Sequence, residues 1–348
     1  MAKTLLFIMG TRPEVIKLAP VIHAADAANL TTITCLTGQH PELSEPVIAF
    51  FNLRIDYRLA TQPASLPVRV HALTAQLSDS IAQLNPDMIL VQGDTLSTYA
   101  GALAGVYQGV PVVHVEAGLR SGHRHHPFPE ELNRRLISQL ATVHCAPTAT
   151  AVKNLHQSGI TRHVIWTGNT GIDALHQVRQ TAAPKLYGHQ VLVTCHRREN
   201  WGAPLQQLCA VMNRLASRMS VAFIHHGNPA LQAVVEKYTT DQVVLYPPVP
   251  YHHMIHMMCQ AAYIITDSGG IQEEATCLGK PVLVFRKNTE RQDSILSGNS
   301  QLVTAETLYN RIQQLEANPA AYQAMAQPRY LYGDGHAAQR IVRYIQKL

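Results

Sequence analysis

Short apolar runs rich in β-branched residues recur along the chain: Thr4–Met9, Thr31–Leu36, Met88–Val91, Val110–Val115, Val164–Trp166, Val191–Thr194, Val221–Ile224, Val243–Leu245, Ala262–Thr266 and Pro281–Phe285. Most are continuous instead of alternating, the pattern of strands covered on both faces. Helical patterns lie between several of them, at Glu14–Ala28, Ser97–Tyr107, Glu131–Leu140 and Leu205–Met219. Parallel strands need long crossovers, and a helix between successive strands supplies them with right-handed sense. The alternation therefore predicts an α/β fold with parallel sheets. There are about twice as many strands as one doubly wound sheet needs, so two Rossmann-like domains are expected. A length of 348 residues suits two domains. The join is expected near residues 170–188, with Thr181-Ala182-Ala183-Pro184 as linker.

Composition narrows the class. Hydrophobic residues make up 46% and charged residues 15%, a globular balance that excludes disordered and collagen-like chains. The formal charge is +5, yet no Lys/Arg block resembles a nucleic-acid arm. No apolar run approaches the length of a membrane span. The start imitates a signal peptide over Leu5–Met9, but Arg12, Glu14 and Lys17 follow at once. Six scattered cysteines without a CxxC pair read as reduced thiols, so a cytoplasmic protein is expected.

In open α/β sheets, ligands bind beyond the carboxyl ends of the strands. Polar and glycine-rich residues concentrate there in both halves. Asp267-Ser268-Gly269-Gly270 runs into a helical segment ending in Glu274, placing bare backbone N–H groups at a helix N-terminus. Such a turn suits a diphosphate, with Glu274 in reach of a ribose, although a tight turn with a Ser N-cap is the plain alternative. Arg12 and Lys17 flank the first turn of the first helix, as phosphate ligands or as solvated helix-face charges. Asp94, Glu116 and Glu130 follow strand ends, where carboxylates serve as general acid and base.

There is no GxGxxG or GxxxxGK[ST], so neither a dinucleotide cofactor nor a P-loop is expected. GxSxG is also absent, which argues against a Ser-His-Asp hydrolase. The 19 histidines include His252 and His256 at i,i+4 spacing, as zinc ligands have. Without HExxH or a Cys pair nearby, surface or packing imidazoles are the favoured reading and no metal is expected.

Seven motifs run in order from Gly10 to Glu274. They are Gly10-Thr-Arg-Pro-Glu-Val-Ile-Lys-Leu-Ala-Pro20, Gly93-Asp-Thr95, His114-Val-Glu-Ala-Gly-Leu-Arg120, Pro127-Phe-Pro-Glu-Glu131 with Asn133-Arg134, Gly168-Asn-Thr170, His196-Arg-Arg-Glu199 and Thr266-Asp-Ser-Gly-Gly-Ile-Gln-Glu-Glu274. Together they resemble the non-hydrolysing UDP-N-acetylglucosamine 2-epimerases. The resemblance implies two Rossmann-like domains with parallel sheets facing a central cleft, the GT-B arrangement. It places an N-terminal domain at 1–172, a UDP-binding domain at 173–330, and a terminal segment 331–348 whose helix, near Ala337–Lys347, returns to the first domain.

It also implies interconversion of UDP-GlcNAc and UDP-ManNAc without cofactor or metal, in a homodimer that binds neither nucleic acid nor membrane and serves surface-polysaccharide synthesis. Such enzymes eliminate UDP across C1–C2 to give 2-acetamidoglucal, then add it back. By resemblance, Asp94, Glu116 and Glu130 are the acid/base candidates and His196 joins the catalytic group beside the sugar phosphates. Arg12, Lys17, Arg134, Ser268, Gly269 and Gly270 bind sugar or phosphates, Glu274 the ribose, and Arg291 part of the nucleotide. His226 aligns with a His-x-Asn-Pro element, and Met254 lies beside the uracil.

Several positions depart from the family pattern. Val249 replaces a usual glutamine and Met254 a usual phenylalanine; backbone contacts can survive both, so nucleotide binding with altered affinity is expected. Gly122-His123 stands where the family has Gly-Asp. Gln39-His40-Pro41 lacks the family's arginine, and Gln62–Leu66 lacks its Gly-rich loop. Those two segments belong to an activating second UDP-GlcNAc site in bacterial members, so such activation is not expected to carry over unchanged. The rival enzyme readings are a hydrolysing relative that releases ManNAc and UDP, a 2-epimerase for a 3-modified UDP-sugar, and a glycosyltransferase of the same architecture. A non-catalytic metal- or anion-binding protein using the histidines is the remote one.

Overall fold

Leu5–Met9 are five consecutive wholly buried residues, as a strand covered on both faces requires. They form β1 (Thr4–Met9) of a seven-stranded sheet in a computed structural model that describes residues 2–39, 41–60, 64–124, 127–181, 188–225 and 227–348, without the side chains of Pro41 and Arg198. The other strands are β2 (Thr31–Leu36), β3 (Tyr57–Arg58), β4 (Met88–Gln92), β5 (Val112–Val115), β6 (Val143–Ala146) and β7 (Val164–Trp166). Their order is β3-β2-β1-β4-β5-β6-β7, all parallel. Because β1 lies between β2 and β4, the order reverses there and a crevice opens at the carboxyl ends of β1 and β4.

A second parallel sheet repeats the plan. It contains β8 (Val191–Thr194), β9 (Val221–Ile224), β10 (Val243–Tyr246), β11 (Tyr263–Thr266), β12 (Val282–Val284) and β13 (Ser300–Leu302), in the order β10-β9-β8-β11-β12-β13. Its switch point falls between β8 and β11. The chain divides into unit 1, Met1–His176 with Tyr332–Leu348, and unit 2, Gln177–Leu331. The first division falls inside helix Thr170–Arg179. Part of the expected linker, residues 182–184, lies outside the described residues.

Each sheet has its own core. In unit 1, Leu6, Ile8, Ile89 and Val91 pack with Leu73, Leu77 and Ile81 of helix Leu66–Leu84. In unit 2, Val193, Phe223 and Ile265 pack with Leu208 and Met212 of helix Ala203–Ala216. Each such side chain contributes about 1.5–3 kcal/mol on burial. Among the described residues no helix is long and apolar enough to cross a membrane.

Three strands escape the apolar-run criterion. β3 has two residues, β13 reads Ser-Gln-Leu, and β6 carries His144 at its centre. Burial holds the His144 imidazole down at about 4, so it enters the sheet as a neutral ring beside His114 of β5.

The last helix, Ala337–Lys347, buries Ala337, Ala338, Ile341, Val342 and Ile345 and packs on helix Arg12–Ala27. Its N-terminus lacks a cap of its own. Asp173 supplies one from another helix, accepting from the Ala337 and Ala338 N–H groups at 3.2 and 2.8 Å. At the other end Lys3 Nζ donates to Ile345 O at 2.9 Å.

Burial pushes the Asp173 carboxyl up to about 6 despite those two donors. A carboxyl raised in the folded state contributes stability that is full below its unfolded pKa and is lost as pH rises through the folded value. The stability of the wild type minus that of Asp173→Asn is therefore expected to fall by roughly 2–3 kcal/mol between pH 4 and pH 7. Urea unfolding at a series of pH values measures this difference; parallel curves for the two proteins would contradict it.

Candidate active site

The unit 1 site is built on the turns after β1, β4 and β5. Gly10 follows β1 in tight quarters: a Cβ there would sit 1.9 Å from Ser97 Oγ and 2.5 Å from Thr37 Oγ1. Helix Arg12–Ala27 then starts, with Arg12 in its first turn and Lys17 on its buried side. Glu14 is fully buried and accepts from the Gly10 and Thr11 N–H groups and from the Thr95 and Thr98 hydroxyls.

Asp94 follows β4 and Glu116 follows β5. These neighbouring strands are in register at Gln92 and Val115, so the two carboxylates leave one sheet edge side by side. Asp94 forms an ion pair with Arg134, whose Nε lies 3.1 Å from Oδ2. Arg134 Nη1 also donates to Glu131 at 2.9 Å, and Asn133 Nδ2 donates to Asp94 O at 2.9 Å. Both Arg134 and Asn133 belong to helix Glu130–Leu140, so the helix that begins with Glu130 is clamped to the Asp94 turn. Glu130 Oε2 is enclosed without a hydrogen-bond partner among the described residues.

Glu116 has φ 67°, the left-handed region that a side-chain-bearing residue enters at a cost of about 1–2 kcal/mol. Its carboxylate pairs with Lys17 and accepts from Asn169 Nδ2 at 2.9 Å. Such strain persists only where the surroundings over-determine it, and it clusters at functional sites. Lys17 is 8% exposed, so it is no solvated helix-face charge.

In unit 2 the turn after β11 meets the turn after β8. Asp267 is wholly buried and accepts from the His196 and Arg197 N–H groups, from Asn200 Nδ2 at 2.9 Å and from His196 Nδ1 at 3.0 Å. Burial alone would raise this carboxyl; the His196 imidazole and the donated hydrogen bonds outweigh it and hold Asp267 below the usual carboxylate range. Ser268 then occupies the N-cap position of helix Gly269–Cys277 without a side-chain capping bond. Space over Gly270 is open, while a Cβ on Gly269 would lie 2.7 Å from Arg291 Cζ. Arg291 is fixed there by Glu273 at 2.9 Å and Glu290 at 2.5 Å. Glu274 accepts from the Tyr251 hydroxyl at 2.8 Å, and Met254 is buried in the same helix as Tyr251, Tyr251–Gln260.

Of the residues singled out from sequence, Lys17, Glu116, Asp94 and Arg134 meet pairwise in unit 1, with Arg12 and Glu130 on the helices that carry their partners. His196, Ser268, Gly269, Gly270, Glu274 and Arg291 gather at the second switch point. His226 lies outside the described residues, as do His40 and residues 62–63 of the altered segments. Sequence reasoning assigned no role to Glu14, Asn169, Asp267 or Tyr251. The Thr-x-x-Glu spacing of Thr11 and Glu14, a capping-box signature, was available to flag the first.

Fold and site together define a protein of two doubly wound α/β domains, with ionisable groups collected at both switch points. The sequence model described as UDP-N-acetylglucosamine 2-epimerase matches residues 23–346. The UDP-N-acetylglucosamine 2-epimerase of Salmonella borreze is 38% identical over 370 aligned residues, covering 99% of this chain and 98% of that protein. The crystal structure of UDP-GlcNAc 2-epimerase from Neisseria meningitidis bound to UDP-GlcNAc matches with TM-score 0.93 and 37% identity, covering 99% of this chain and 100% of that one. The S. aureus MnaA–UDP co-structure matches with TM-score 0.93 and 35% identity, covering 99% of this chain and 96% of that one. The chain belongs to the UDP-N-acetylglucosamine 2-epimerase family.

Proposed function

We propose that this protein interconverts UDP-GlcNAc and UDP-ManNAc by eliminating UDP and adding it back to bound 2-acetamidoglucal. The C2 proton of the sugar is not acidic, so simple deprotonation faces a high barrier. In the elimination a carboxylate takes that proton as the C1–O bond breaks, C1=C2 forms and UDP departs with the bonding pair. Re-addition delivers a proton to the opposite face of C2 while a UDP oxygen returns to C1. The steps need positioned carboxylates and donors for the developing diphosphate charge.

The observation that carries this reading is Glu116, held in a strained backbone conformation against Lys17 and Asn169 beside the Asp94–Arg134 pair. We assign proton transfer to Asp94, Glu116 and Glu130. Arg12, Lys17, Arg134 and His196 contact sugar or phosphates, and the Ser268–Gly270 backbone binds phosphate as an open helix N-terminus does. Glu274, oriented by Tyr251, takes the ribose, and Arg291, Met254 and His226 complete the nucleotide contacts. That the Neisseria structure is bound to UDP-GlcNAc and the S. aureus structure to UDP supports a UDP-sugar as the ligand here.

Proton NMR of the anomeric region tests the proposal. Incubation with UDP-GlcNAc in D2O is expected to yield UDP-ManNAc carrying deuterium at C2. Free ManNAc with UDP would identify a hydrolysing enzyme, and consumption only with an added glycan acceptor would identify a glycosyltransferase.

The proposal extends to a cytoplasmic homodimer that supplies ManNAc units for a surface polysaccharide. All six cysteines are free thiols, which supports a reducing compartment. Unit 1 carries an apolar groove of about 520 Å³ lined by Leu66, Val70, Leu103 and Leu136, with His71 also on its wall. The exposed Tyr107 and Phe128 stand on its rim, so one patch offers both the knob and the hole that a two-fold contact with a second copy needs.

A further inference from the structure

Glu14 is fully buried and takes no part in the chemistry above. Its Oε2 accepts from Gly10 N at 3.1 Å and Thr11 N at 2.7 Å, the backbone that leads into Arg12 and Lys17. Its Oε1 accepts from Thr95 Oγ1 at 2.8 Å and Thr98 Oγ1 at 3.0 Å, directly after Asp94. One carboxylate therefore joins the two turns of the switch point: Gly10 and Thr11 donate from the first and Thr95 from the second, while the single Thr98 proton is shared with Gln92 O at 2.6 Å. An isolated buried carboxylate is very costly; the donated bonds offset part of that cost, and burial still pushes the Glu14 carboxyl up. The Thr11 N–H bond is the reciprocal half of a capping box at this helix start, but the bonds from Gly10 N–H and the Thr95 hydroxyl go beyond that motif.

The Asp94 turn is pinned on its other sides too. His114 Nε2 lies 2.7 Å from Gly93 O, which can only accept, so the buried ring donates there. Asn133 Nδ2 holds Asp94 O. The tie through Thr95 to Glu14 is a direct link between this turn and the helix bearing Lys17, and Lys17 in turn pairs with Glu116.

We propose that Glu14 is a positioning residue, setting Asp94 relative to Lys17 and, through Lys17, to Glu116. This rests on the reading that Asp94 and Glu116 move the sugar proton. A glutamine at position 14 has one acceptor oxygen; turned to Gly10 and Thr11, it presents its amide to Thr95, whose hydroxyl must then accept instead of donate, so the charge-assisted tie to the Asp94 turn becomes a weaker neutral one of reversed direction. A displacement of about 1 Å at a reacting group lowers turnover by up to about 100-fold.

The test compares E14Q, T95V, T95S and the E14Q/T95V double variant. It reads kcat and KM for UDP-GlcNAc interconversion by NMR, together with the thermal midpoint of each protein. E14Q and T95V are each expected to lower kcat by about 10–100-fold with KM within about 3-fold, since the nucleotide-binding groups of unit 2 are untouched. T95S keeps the hydroxyl and is expected to stay within about 2-fold of wild type, and the double variant is expected to lose no more than the larger single loss. Wild-type kcat in both E14Q and T95V, with only lowered midpoints, would overturn the inference and leave the functional reading intact. Losses that multiply in the double variant would also overturn it. Should E14Q not fold, equal kcat in T95V and T95S would do the same. A wild-type protein that makes no UDP-ManNAc would overturn the functional reading itself, and this inference with it.

Discussion

Glu116→Gln and Asp94→Asn are each expected to lower kcat for UDP-ManNAc formation by about 10²–10⁴-fold while leaving the affinity for UDP within a few-fold. The substitutions preserve shape and hydrogen-bonding capacity but remove the ability to exchange a proton. Both residues stand on unit 1, at the ends of β5 and β4, whereas the glycine-opened helix start and the Arg291–Glu273 pair stand on unit 2. Turnover and nucleotide affinity are therefore separable readouts. Glu116 has the sharper expectation because its backbone is held at φ 67° and its carboxylate is shared by Lys17 and Asn169. NMR turnover with calorimetric titration of UDP decides the matter. A double variant that retains wild-type kcat would remove both carboxylates from the mechanism.

Asp267→Ala is expected to destabilise unit 2 by about 3–5 kcal/mol, the usual consequence of deleting one partner of a buried charged network. Asp267 is wholly buried and gathers the His196 and Arg197 N–H groups, Asn200 Nδ2 and the His196 ring. Alanine leaves several of those donors enclosed without an acceptor. Because the carboxyl sits below its usual range, its contribution is present above the unfolded value near 4 and is lost as pH falls through the folded value. Trp201 is the natural reporter, since its Nε1 donates to His196 O at 3.3 Å. Urea unfolding followed by fluorescence in a Trp166→Phe background, which leaves Trp201 as the remaining tryptophan, measures the change. A loss under about 1 kcal/mol would show that the β8 and β11 turns are held by other contacts.

Much of this architecture was legible in the residue order. Continuous apolar runs identified ten strands because strands buried on both faces need no polar alternation. They missed β6, where His144 interrupts the run, because periodicity cannot tell that a neutral imidazole will be accepted in the sheet. The ordered motifs located both switch points, since glycine, carboxylate and cationic residues are concentrated where strands end. The partners of those residues were not legible. Lys17 reads from sequence as a phosphate ligand or a surface charge, and its meeting with Glu116, 99 positions away, follows only from β1, β4 and β5 lying in that order. Arg291 likewise reads as a nucleotide contact, yet its guanidinium is seated by Glu273 and Glu290 against Gly269.

The sequence by itself determined the parallel α/β class, the duplication of the domain plan and the residue types at each strand end. These are set by local periodicity and by the side chains a turn tolerates. Tertiary structure alone decided which carboxylate faces which cation, that Asp173 caps the returning C-terminal helix, and that Glu14 spans two turns. The physical reason is that strand order and crossover direction bring residues some 70 to 165 positions apart within hydrogen-bonding reach. No local pattern carries that information.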